Sequence, residues 1–223
     1  MGASTQVLDV AVIDDSNGDG VTDDAVIAVL GFNPNRPSKE QIRVQVRRFS
    51  DGGVVKNYFY FNENWTPVAL EGVQRPGRSP LLAVLGNNKN NGNNVVQARA
   101  LQNGTLQPNV TFLNTDWLVR DLAVLTDTNS DGNAKDPSYL VLGNQKNTGG
   151  NRVQTRRVSN GNFIRNVAVN GPKWEAYRLM RVDDISGNLA EEVGTLATNR
   201  ENGNVNVLVK DYADGTTTVK VVP

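Results

Sequence analysis

The run Asp15-Ser16-Asn17-Gly18-Asp19-Gly20-Val21-Thr22-Asp23 sets oxygen-bearing side chains at its first, third, fifth and ninth positions, with glycine at the sixth. Alternate residues of a tight loop turn to the same side, so Asp15, Asn17, Asp19 and Asp23 can converge. Val21 can lend its backbone carbonyl, and Asp24 is an additional candidate ligand. Hard oxygen donors at roughly 2.3–2.6 Å suit calcium better than softer metals. An EF-hand loop begins the same way but needs an acid at the twelfth position and a helix after it. Here the twelfth position is Val26 and an apolar stretch, 25–30, follows, so the loop joins two strands.

Two further stretches carry parts of this pattern. Asp127, Asn129, Asp131-Gly132 and Asn133 repeat its first half, but Lys135 stands at the ninth position and Asp136 comes next. Asp184, Ser186, Asn188 and Glu192 offer oxygens without the glycine. At the corresponding place in between, Gln74-Arg75-Pro76-Gly77-Arg78 has no acid, and its guanidinium groups would repel a cation. The competing expectation for all of these loops is an Asx-rich hairpin that binds nothing.

The loops recur because the chain repeats itself. Trp65, Trp117 and Trp174 lie 52 and 57 residues apart, and Val29-Leu30-Gly31 returns at 84–86, at 141–143 and, altered, as Thr195-Leu196-Ala197. A third segment follows each time (43–47, 95–99, 152–156, 206–210), then a fourth (58–61, 110–113, 167–169, 219–222). Units of about 1–64, 65–116, 117–173 and 174–223 result, each with four short strands. The first two strands of a unit are nearly all apolar, as in strands covered on both faces. The third alternates, which places Val44 and Val46 inward and Gln45 and Arg47 outward. Burial is thus expected to fall from the first strand to the last.

A period in the range of 40–55 with four strands per unit predicts an all-β fold, a β-propeller of four four-stranded antiparallel blades in one domain, 1–223. The alternative is half of a larger propeller, or a fragment of one, since Thr5 stands where the other units carry Trp. An incomplete ring of this kind could self-associate. The three Trp residues are expected to pack between units, with sugar platforms as the second reading. Arg47, Arg99, Arg156 and Lys210 recur once per unit and are expected to be solvated outer-strand residues. The 29 asparagines serve chiefly as turn residues. Their clusters at 87–94, 144–151 and 199–204 are where a ligand is first sought.

On its repeats and on the loop formed by Asp15, Asn17, Asp19 and Asp23, the chain resembles the FG-GAP and VCBS repeat families, including the propeller of integrin alpha subunits. That resemblance implies calcium-loaded hairpins between adjacent strands of a blade.

Composition narrows the function. Lys+Arg and Asp+Glu both number 23, which leaves no net field to gather nucleic acid. With no histidine and no cysteine there is no imidazole base, no thiolate and no soft-metal site. Most acids fall in the loops and no carboxylate pair stands out, so no catalytic residue is assigned and an enzyme is not expected. No apolar run spans a bilayer, and Met1-Gly2-Ala3-Ser4 has no signal-peptide pattern. Loops of this type need calcium at extracellular levels, so the expectation is a secreted or cell-surface binding or adhesion module for a glycan or a protein. The alternative is a structural spacer that calcium merely stabilises.

Overall fold

The computed structural model describes residues 4–128, 136–187, 190–212 and 214–221. The fold is all-β: four antiparallel four-stranded sheets, consistent with a propeller-like arrangement of four blades. The first sheet holds β1 (Gln6–Ile13), β2 (Val26–Phe32), β3 (Ile42–Arg48) and β4 (Val54–Tyr60), and the second β5 (Trp65–Val73), β6 (Leu81–Asn88), β7 (Asn94–Ala100) and β8 (Val110–Phe112). In the third are β9 (Trp117–Leu125), β10 (Ser138–Gln145), β11 (Asn151–Arg157) and β12 (Phe163–Ala168). The fourth has β13 (Trp174–Val182), β14 (Glu192–Asn199), β15 (Val205–Asp211) and β16 (Thr217–Val221). The chain divides into two compact units, Met1–Thr111 and Phe112–Pro223.

Each unit has its own core. In the first, Ala11, Ile13, Ala28, Leu30, Val44, Val46, Tyr60, Leu70, Leu82 and Val84 form one buried cluster, and in the second Leu125, Leu140, Leu142, Val153, Ala176, Val193 and Leu208 form another. Apolar runs at β6 and β10 are buried almost throughout. The strand-by-strand gradient expected from sequence holds in the third sheet, where β9 and β10 are largely buried and burial falls to β12, but not in the first and fourth. β1 exposes Val7, Val10 and Val12, and β13 exposes Tyr177 and Met180, so burial there peaks on the second and third strands. The reason is alternation in these first strands, whose inward residues alone, such as Ala11 and Ile13, meet the core.

The third strand also departs from expectation. Gln45, Gln97 and Gln154 are buried although they stand at the polar position of the alternation. Buried amides need partners, and the Nε2 groups of all three donate across the outer strand pair, to Asn57, Asn109 and Asn166. Gln97 Oε1 accepts the Phe61 N–H at 3.2 Å, and Gln154 Oε1 accepts that of Leu113 at 2.8 Å. Phe61 and Leu113 are the two non-glycine residues with positive φ among the described residues. The strained turn is therefore held by a specific acceptor.

A candidate metal loop and the devices that carry it

Seven hydrogen bonds close the first aspartate loop. Asp15 accepts the N–H groups of Gly18 (2.6 Å) and Gly20 (2.8 Å), Asn17 Oδ1 that of Asp19 (2.8 Å), and Asp19 Oδ1 that of Val21 (2.8 Å). Asn17 Nδ2 donates to Asp19 Oδ2, and Asp24 receives both the backbone N–H and the hydroxyl of Ser16. Gly18 and Gly20 have φ of 79° and 92°, the left-handed angles that glycine adopts without penalty. A side chain at 18 would also strike the Arg78 carbonyl.

Asp14, Asp15, Asp19, Asp23 and Asp24 put five carboxylates into eleven residues, and no ion pair joins any of them among the described residues. Each carboxylate oxygen that takes one N–H retains a further lone pair. Asp23 and Val21 are exposed at the loop's rim. The acids are not drawn into one cluster: among the described residues, no three acidic side chains are gathered closely enough to hold a metal.

In the third sheet Asn129, Asp131 and Asn133 lie outside the described residues. The ends of that loop meet as a bridge between Asp127 and Asp136. Asp136 Oδ1 accepts the Thr128 N–H at 3.1 Å, its other oxygen is buried without a hydrogen bond, and Arg157 lies 3.6 Å from it. In the fourth, Asp184 accepts the Gly187 N–H and Glu192, fully buried, accepts those of Ile185 and Ser186. Asn188 lies outside the described residues. One device thus recurs: an acid at the far end of the loop, Asp24, Asp136 or Glu192, caps the backbone at its near end.

Sequence reasoning missed two further devices. Each first strand is bulged, leaving Leu8, Val68, Arg120 and Tyr177 without partners in the ladder. Next to the bulge, Asp9 accepts the N–H of Val10 and that of Leu70 on β5 (2.8 Å); likewise Asp121 accepts those of Leu122 and of Leu179 on β13 (2.8 Å). These carboxylates clasp one sheet to its neighbour within each unit. Secondly, the recurrent cations are hairpin clamps, not merely solvated residues: Arg47, Arg99, Arg156 and Lys210 donate to the carbonyls of Gly52, Gly104, Gly161 and Gly215. The constant spacing of five residues, cation to glycine, is the signal that could have revealed them. The loop asparagines serve as turn residues, as expected: Asn88 Oδ1 accepts the Asn90 N–H and Asn199 Oδ1 that of Glu201.

The tryptophans differ. Trp117 is buried under the Arg152 guanidinium, whereas Trp65 and Trp174 are partly exposed. Trp65 stacks on Phe61, with centroids 4.6 Å apart and planes at 20°.

No helix among the described residues is long and apolar enough to cross a membrane. No protein-family model matches the chain, and no curated protein matches it in sequence.

Proposed function

We propose that the chain is a calcium-binding repeat module that acts by binding a partner, a glycan or a protein, outside the cell, and that it has no catalytic role. The observation that carries this reading is the segment 14–24, where five carboxylates fall within eleven residues that include no Lys or Arg, and none of the five is ion-paired among the described residues. Like charges held this close repel unless a cation offsets them. Asp15, Asn17, Asp19, Asp23 and the Val21 carbonyl are the groups that would hold calcium, with Asp24 closing the loop behind them. Calcium would supply charge neutralisation and stiffness there. The loops around Asp127 and Asp184 are secondary candidates.

Thermal unfolding in millimolar calcium, with Asp19→Ala alongside, tests this. A calcium-specific rise that is smaller in the variant is the expected result. The competing reading, an Asx-rich hairpin that binds nothing, is favoured by the seven hydrogen bonds that the loop makes with its own backbone and side chains.

A further inference from the structure

A cleft of about 550 Å³ opens in the first unit, within the roughly 300–1,000 Å³ of small-ligand sites. Phe59, Trp65, Asn62, Gln97, Asn109 and Arg99 are among its lining residues. The aromatic side is built in layers. Gly86 lets the Phe61 ring lie directly on the β6 backbone, since a Cβ there would stand 2.8 Å from that ring. Trp65 stacks on Phe61, which fixes the indole while leaving part of it in solvent. Phe59 is 39% exposed, which is unusual for a ring that has a core within reach.

The opposite side is amide and guanidinium. Gln97 and Asn109 are hydrogen-bonded to each other, so their planes are set in advance. Arg99 clamps Gly104 through one terminal nitrogen, and its Nε–H is buried with no hydrogen-bond partner. In the first and third sheets the same atom is satisfied: Arg47 Nε donates to Gln45 and Arg156 Nε to Gln154. The second sheet thus leaves an unpaired donor on a residue that lines the cleft.

We propose that this cleft is a subsite for a neutral pyranoside. A pyranose ring has an apolar C–H face that fits an aromatic surface and a rim of hydroxyls that both donate and accept. Amides match that rim, because each presents a donor and an acceptor in one plane. The charged lining residues are of both signs, Lys39 and Arg99 against Glu40, which gives no strong field for an anion. The inference rests on the binding-module reading and names its ligand class; it does not depend on calcium occupying the loop 15–24.

The test applies the wild-type chain to an array of immobilised neutral oligosaccharides of glucose, galactose, mannose and N-acetylglucosamine, then titrates a retained sugar by tryptophan fluorescence. Two variants report on the cleft. Phe59→Ala removes an exposed ring and is expected to weaken binding about tenfold. Arg99→Lys removes the Nε–H and leaves a cation that can keep the hairpin clamp, as Lys210 does in the fourth sheet; a loss of about fivefold is expected. Phe163→Ala, which removes a still more exposed ring in the second unit, is expected to change nothing. Absence of any retained sugar at millimolar concentration overturns the proposal, as does binding that both cleft variants leave intact. A calcium-induced thermal shift in the same samples would then leave the metal reading standing with the sugar reading gone.

Discussion

The two units use the same internal devices and present different surfaces. The registers of Gln45 with Asn57 and of Gln154 with Asn166 bring Phe59 into correspondence with Ala168, Phe61 with Asn170, Asn62 with Gly171 and Trp65 with Trp174. The corresponding cleft of the second unit, about 190 Å³, is lined by Asn170, Gly171, Trp174, Leu208 and Lys210. Two phenylalanines have given way to alanine and asparagine, and Leu208 stands where the first unit has Gln97. The clasps, by contrast, are alike: Asp9 on Leu70 and Asp121 on Leu179. Residues that satisfy backbone groups recur because any replacement leaves a buried donor unpaired. Residues on the cleft wall are free to differ, so the difference marks where a ligand would be selected.

The clasp comparison gives the largest expected effect. Asp121→Ala leaves two buried N–H groups without an acceptor and should cost about 2–4 kcal/mol of stability by urea unfolding. Asp9→Ala should cost about 1–2 kcal/mol, because the Val10 N–H is exposed and water can replace the carboxylate. Equal losses would mean that the clasps are not set by burial.

Glycines under the stacks sharpen the contrast. Gly86→Ala drives a Cβ against the Phe61 ring and should cost about 1–3 kcal/mol, read from the denaturant midpoint. Gly194→Ala in the second unit meets the Met180 side chain at 2.6 Å, and that flexible chain can move, so about 1 kcal/mol or less is expected. If Gly194→Ala proves the costlier of the two, the layered stack does not hold the cleft wall.

The smallest effect concerns protonation of two hairpin carboxylates. Asp51 lies below the ordinary carboxylate range, first through its hydrogen bond with Arg48 and then through the Gly53 N–H; Asp214 lies low chiefly because of the Thr216 N–H. Depressed values in the folded chain mean that these contacts help above the ordinary range, near pH 3.9, and that the help is lost as pH falls through the lowered values. Carboxyl NMR titration should place both midpoints low, and Arg48→Ala should raise that of Asp51 while leaving Asp214 unchanged.

Repeated residues made the four sheets legible. Trp65, Trp117 and Trp174 open β5, β9 and β13, and each Val-Leu-Gly lies in a second strand. Burial of the glutamines was not legible, because a polar residue in an alternating strand reads as solvent-facing until its partner is known, and the partner of Gln154 lies 41 residues away. Asp9 and Asp121 were hidden for the same reason, with partners 61 and 58 residues distant. For the aspartate loop, sequence supplied the oxygens and the glycine at Gly20. What spacing does not encode is which oxygens the loop spends on its own backbone. By spacing the acid at the tenth position is a ligand candidate, yet Asp24 and Asp136 act first as caps.

Whether the loop 15–24 takes up calcium is decided by thermal unfolding in EDTA against millimolar calcium, with magnesium as the control. A calcium-specific rise in melting temperature that Asp19→Ala reduces is expected, since only a ligand that favours the folded chain can stabilise it by mass action. An unchanged melting temperature, or an equal rise with magnesium, would contradict it and leave the aspartates as the closing groups of a metal-free turn.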